Sequence, residues 1–144
     1  MALRRVSATR TIPASAPVIF DVLAGARQHS LIDGSGSLRQ VRRAPERLFL
    51  GARFSMSMRI GAPYVTNNVV VEFEENKTIA WHHFARLVWR YDLEEVPGAT
   101  RVTESFSYDN PVGRLVQAMG IPEKNRQAMG ATLERLERLV TSSP

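Results

Sequence analysis

The sequence predicts an α+β domain of seven antiparallel strands, with two short helices after the first strand and one long helix at the C-terminal end. Two patterns carry that prediction. Between Tyr64 and Tyr108 one parity holds Val69, Val71, Phe73, Ile79, Trp81, His83, Trp89, Tyr91, Leu93, Val102, Glu104 and Phe106, and the other holds Glu72, Glu74, Arg90, Asp92, Glu94, Arg101, Thr103 and Ser105. A period of two with one charged parity marks strands that face water on one side and a core or cavity on the other. After Asn110-Pro111 the period lengthens to that of a helix. Glu123 to Thr141 then sets Met129, Leu133, Leu136 and Val140 in one stripe opposite Glu134, Arg135 and Arg138.

The first strand runs from Val6 to Ile12, with Thr9 and Thr11 on one side and Ala8 and Ile12 on the other, and Pro13 ends it. Ser15 is placed to cap a helix in which Pro17 suits the first turn, Val18, Phe20, Val22 and Leu23 supply apolar contacts, and Gly25 stops the run. A shorter helix or turn covers Ala26 to Ile32, and Asp33-Gly-Ser-Gly-Ser is loop by composition. Strands resume at Leu38 to Ala44 and Arg53 to Ile60; in the second, Phe54, Met56, Met58 and Ile60 share the inner parity. Gly61-Ala-Pro turns the chain into Val65 to Glu74, Thr78 to Ala85 and Val88 to Glu95, joined through Glu75-Asn76-Lys77 and a tight bend near Arg86. Val96-Pro-Gly-Ala closes a further hairpin before Arg101 to Tyr108. Val112 to Met119 is a short amphipathic helix, broken from the long one at Gly120-Ile-Pro122.

A chain of 144 residues suits one domain spanning residues 1–144, and its 44% hydrophobic content is that of a globular protein rather than a disordered one. No apolar run has the length of a membrane span, and Val6-Ser-Ala-Thr-Arg lacks the apolar stretch of a secretory leader. A cytoplasmic location without integral membrane association is therefore expected. The absence of cysteine excludes disulfides, thiol catalysis and Cys-based zinc sites. A net charge of +5 raises the question of nucleic acid, but the arginines scatter and Glu134 and Glu137 offset those of the last helix. With no nucleic-acid motif beside them, a solvated basic surface is the expectation, and nucleic acid is not expected as a partner.

Hairpin turns fix cross-strand neighbours. Turns centred near Asn76, Arg86 and Pro97-Gly98 pair Val71 with Trp81, Trp81 with Tyr91, and Tyr91 with Glu104; they also pair Val69 with His83, His83 with Trp89, and Trp89 with Phe106. The same register places Asn67 beside Met58 on the inner side. Glu104 is then a carboxylate on an apolar face, which costs several kcal/mol, roughly, unless partnered. Tyr91, or an arginine of the last helix such as Arg126, is expected to satisfy it. Alternatively Glu104 ionises near neutral pH and serves as a general acid or base, with Tyr91 and His83 as further candidates.

His82 and His83 cannot share a metal ion, because adjacent strand residues project to opposite faces. His83 falls inside, as lining more readily than as catalyst. His29 and Asp33 would share a helical face, although loop capping by Asp33 is the simpler reading. Met56, Met58, Met119 and Met129 supply either core filler or an adaptable lining. No serine stands in a nucleophile elbow, and the Gly34 to Gly36 loop lacks the strand–glycine–helix context of a phosphate site.

The order of elements resembles the START-related, polyketide cyclase/dehydrase and lipid-transport superfamily (SRPBCC proteins) with its helix-grip fold. The resemblance rests on Ile12-Pro-Ala-Ser-Ala-Pro-Val-Ile-Phe-Asp-Val-Leu, Ile79-Ala-Trp-His, Trp89-Arg-Tyr-Asp-Leu and Thr100-Arg-Val-Thr-Glu-Ser-Phe. It implies a curved seven-stranded antiparallel sheet wrapped on the long C-terminal helix, with a cavity between them for a lipid, sterol or aromatic polyketide, and in some members cyclisation or dehydration. No catalytic constellation carries over, and neither a cofactor nor a metal is expected. The expected lining is Met56, Met58, Asn67, Val69, Trp81, His83, Trp89, Tyr91, Glu104, Phe106 and Met129, with Val112 to Met119 as a lid. The alternative is a surface-mediated protein-interaction module with a filled core and no catalysis. The assembly is left open, a homodimer being the candidate.

Overall fold

In the computed structural model of the chain, residues 4–83, 87–109 and 111–142 are described. Seven strands form one antiparallel sheet: β1 (Arg5–Ile12), β2 (Leu38–Arg43), β3 (Arg53–Ile60), β4 (Ala62–Glu74), β5 (Thr78–His82), β6 (Val88–Val96) and β7 (Ala99–Ser107). Their order across the sheet is β1-β7-β6-β5-β4-β3-β2. It is a meander from β2 to β7 with β1 added beside the last strand. The helices are α1 (Ala16–Ala24), α2 (His29–Ile32, after a 3-10 turn at Ala26–Gln28), α3 (Gly113–Ala118) and α4 (Ile121–Thr141). The order of elements is the one the residue patterns predict, and the arrangement is the helix grip that the resemblance implies.

Local chemistry accounts for the boundaries. Asn76 and Gly98 take positive φ, +64° and +73°, in the turns before β5 and β7, where asparagine and glycine meet least strain. Ser15 stands at the N-terminal position of α1 with Pro17 in its first turn, but its side chain makes no capping bond. Val18 of that helix is exposed, and Ile19, Phe20 and Leu23 supply the buried face in its place. At the far end of the chain, Met129, Leu133 and Leu136 of α4 are fully buried against the sheet. Each contributes roughly 1.5–3 kcal/mol by leaving water. Arg10 on β1 binds Glu137 of α4 at 3.2 Å and ties the helix to the sheet edge.

Three parts of the expected register are corrected. A bulge between Val70 and Glu72 shifts β4 against β5, so that Val70, not Val71, faces Trp81, and Val69 faces His82 rather than His83. Everything N-terminal to the bulge changes side: Val70 and Asn68 are buried, while Val71 and Asn67 are exposed. Asn67 pairs with Ser55, and Met58 pairs with Tyr64. Between β5 and β6 the register lies two residues from expectation, pairing Trp81 with Trp89 and Ile79 with Tyr91. A displacement of two keeps every side chain on its face. Tyr91 opposite Glu104 and Trp89 opposite Phe106 stand as predicted. The bend near Arg86, and Asn110, lie outside the described residues.

Candidate functional site

The pairings set the inner face in rungs. One rung runs Val70, Trp81, Trp89, Phe106, Val6 and the next Phe73, Ile79, Tyr91, Glu104, Ala8. Apolar packing over these rungs divides into two clusters. The larger gathers α1, Trp81, Tyr91, Leu93, Val102, Leu133 and Leu136. The smaller gathers Leu87, Phe106, Tyr108, Val116 and Met129 beneath α3, and Ala8 and Trp89 pack against both. Glu104 lies on the seam, since its strand neighbours across one residue are Val102 of the larger cluster and Phe106 of the smaller.

Glu104 is 4% exposed. It shares a hydrogen bond with Tyr91, while its Oε1 is buried without a hydrogen-bond partner. Burial pushes its pKa from 4.5 up to about 8; the Tyr91 bond opposes that rise and the charge of Asp33 adds to it. The Tyr91 hydroxyl is itself held well above its ordinary range, first by burial and then by Glu104. Arg126, the alternative partner, is on the surface of α4 with Glu123 and does not reach this carboxyl.

Around the pair stands an aromatic floor. Trp81 stacks on His29 at 5.2 Å between ring centres, meets Phe54 edge-on at 5.5 Å and lies 5.9 Å from Tyr91. Buried His29 bonds the Leu23 carbonyl at 2.8 Å through Nε2, and burial lowers its pKa. Asp33 caps the following loop instead of pairing with His29: its carboxylate accepts from the backbone N–H of Ser35 and of Leu38. On the smaller cluster Trp89 Nε1 donates to His83 Nε2 at 3.1 Å, and burial followed by the neighbouring His82 lowers His83 to about 4. His83 is therefore a neutral acceptor at physiological pH.

The expected lining residues divide accordingly. Trp81, Tyr91, Glu104, Phe106 and Met129 are buried, whereas Met56, Met58, His83 and Trp89 are inner residues that stay half-open. Asn67 is turned outward and Val69, half-buried, lies on the outer parity beside Arg53. Asn68, unforeseen, replaces Asn67: it is 2% exposed, its Nδ2 bonds the Phe54 carbonyl at 3.3 Å and its Oδ1 has no partner. The one signal for it was the Asn67-Asn68 doublet, in which one of two amides had to point inward. His29 was likewise missed as a ring of the floor, because its contacts are made across the fold. Among the described residues no group of three or more His, Asp and Glu is arranged to hold a metal ion, and no helix is long and apolar enough to cross a membrane.

Residues 4–141 match the family described as polyketide cyclase / dehydrase and lipid transport. The protein Rv0088 of Mycobacterium tuberculosis, described as uncharacterized, is 32% identical over 140 residues, covering 92% of this chain and 62% of its own length. The chain thus spans less than two thirds of the curated relatives it matches. Among solved structures, protein Ms6760 from Mycobacterium smegmatis has a TM-score of 0.72 at 20% identity, covering 96% of this chain and 91% of that one. An AHSA1-like protein from Aeromonas hydrophila has a TM-score of 0.69 at 13% identity, covering 97% of each chain. At these identities the two structures speak for the fold.

Proposed function

We propose, from the premise that this chain belongs to the polyketide cyclase / dehydrase and lipid transport family, that it binds a small hydrophobic or amphipathic molecule between sheet and α4 at the seam marked by Glu104. The observation that carries the reading is the buried carboxyl with one unpartnered oxygen, held at about 8 beside Tyr91. A group of that kind is costly in an apolar interior unless something uses it. At neutral pH it is protonated and presents an O–H to a ligand carbonyl or hydroxyl. Trp81, Phe106 and Met129 would give apolar contact, and Asn68 a second polar point. The half-open inner residues Met56, Met58 and Trp89 support access from that end of the sheet.

A neutral carboxyl poised to donate also supports cyclase or dehydrase chemistry, in which a proton moves beside a carbonyl while the pocket holds a flexible chain in one reactive conformation. A different reading, a surface-mediated interaction module, draws on the close contact of Trp81 with His29, Phe54 and Tyr91, which leaves that part of the interior filled by the chain itself. Native mass spectrometry of the purified protein separates the readings. A co-purified lipid or aromatic compound is the expected result; a bare mass, together with failure to bind any of a panel of fatty acids, sterols and aromatic polyketides, sinks the binding proposal. Glu104→Gln then divides carrier from enzyme. The carrier keeps affinity and shows no turnover in either form, while the enzyme loses turnover and keeps affinity.

A further inference from the structure

The turn before β3 sets two large apolar side chains in water by construction. Ala52 N–H bonds the Phe49 carbonyl at 2.9 Å, closing a four-residue turn with Gly51 at φ +86° in its third position. Leu48, on one side, is buried and donates its N–H to the Ala24 carbonyl at 2.7 Å. On the other side Gly51 N–H bonds the Val70 carbonyl, and Val70 N–H bonds the Ala52 carbonyl, both at 2.9 Å. The turn is pinned at both ends, yet Phe49 is 55% and Leu50 63% exposed. Exposed Val71, put outside by the β4 bulge, follows the residue that anchors the turn.

Charge around the tip is in basic excess, Arg27, Arg42, Arg43, Arg47 and Arg53 standing against Asp21, Glu46 and Glu75. Arg42 and Arg43 end β2 and Arg53 begins β3; all three are exposed, and among the described residues none of them makes an ion pair. Arg27 reaches the same loop through the Ala44 carbonyl. The acidic residue of the loop is Glu46, and the carboxylates of Asp21 and Glu75 are taken by Arg47. A pair of large apolar side chains at the apex of a turn suits insertion into an acyl boundary more than a flat protein contact, and arginines behind the apex suit anionic headgroups.

We propose that the Phe49-Leu50 turn, with Arg42, Arg43 and Arg53 behind it, docks this protein peripherally on an anionic lipid bilayer. The proposal goes beyond the ligand site and does not depend on it. Its test is co-sedimentation of the full chain with vesicles of phosphatidylcholine alone or with about 30% phosphatidylserine. The expected result is binding to the anionic vesicles about tenfold or more tighter than to the neutral ones, weakening as salt is raised. Phe49→Ser with Leu50→Ser lowers that binding about tenfold, and Arg42→Gln with Arg43→Gln by a similar factor. Because the chain has no cysteine, Leu50→Cys accepts a single environment-sensitive dye, whose emission shifts to the blue on anionic vesicles. Equal affinity for both vesicles, no binding, or an unshifted dye overturns the proposal. So does anionic binding that the arginine variant loses and the Phe49/Leu50 variant keeps, with single-stranded RNA competing, which would mark a general polyanion surface.

Discussion

Replacing Glu104 by Gln should abolish the loss of this protein's stability with rising pH on the alkaline side. The glutamate is held at about 8 in the fold against an ordinary 4.5, so the native state binds the proton more tightly than the unfolded chain. Its contribution is full below pH 4.5, declines from 4.5 to 8 as the unfolded chain alone ionises, and is gone above 8. The difference amounts to on the order of 5 kcal/mol, a large part of the roughly 5–15 kcal/mol a domain has. His83, lowered to about 4 from 6.5, acts in the opposite sense, its contribution present above 6.5 and lost as the pH falls toward 4. His29, also lowered by burial, adds to that acid-side loss.

Between about pH 6.5 and 8, then, Glu104 dominates, and wild-type stability falls as pH rises. The glutamine variant cannot ionise and should stay level there. Near pH 4.5 the two proteins should differ by about 1 kcal/mol, the worth of a changed hydrogen bond to Tyr91. By pH 8.5 the variant should be the more stable by about 3–5 kcal/mol. Urea unfolding at half-unit pH steps, followed by both tryptophan emission and circular dichroism, measures this directly. Parallel curves for the two proteins from pH 6.5 to 8.5 would refute the buried, protonated carboxyl and the binding chemistry built on it.

A Cβ at Gly34 would stand 2.6 Å from the Thr132 backbone nitrogen and 2.7 Å from the Ala131 Cβ. Gly34→Ala should therefore push α4 away and cost roughly 1–3 kcal/mol, read as a lowered thermal midpoint; an unchanged midpoint would show that the loop and helix are not locked together there. Asn68→Leu removes a buried amide whose Oδ1 has no partner, so the free protein should gain about 1 kcal/mol in urea unfolding while losing affinity for any ligand found by mass spectrometry; loss of stability without loss of affinity would make Asn68 structural. Helix α3 holds to the core through Val116, with Leu115 and Met119 exposed. If it is a lid, its amide exchange slows when that ligand binds, and unchanged exchange in the complex would count against it.

Strands with strict alternation were readable because each side chain declares its face. Trp89-Arg-Tyr-Asp-Leu and Thr103-Glu-Ser-Phe admit one parity, and so Tyr91 and Glu104 meet as expected even though the preceding hairpin sits two residues away from its expected register. Asn67-Asn68-Val69-Val70-Val71 admits two, since neighbours of the same type read equally well in or out. There the tertiary structure decided, by opening a bulge that buries Val70 and Asn68.

By itself, then, the sequence determined the seven strands, the order of the helices and the apolar stripe of α4, because periodicity is a local property of the chain. It also determined that a carboxyl would face the core. Only the folded structure decided that Arg126 turns away from that carboxyl, that His29 stacks on Trp81, and that the apolar interior divides into two clusters with Glu104 between them. Those are contacts between residues distant in sequence, set by how α1, α2 and α4 settle on the sheet, and no local pattern encodes the outcome of that packing.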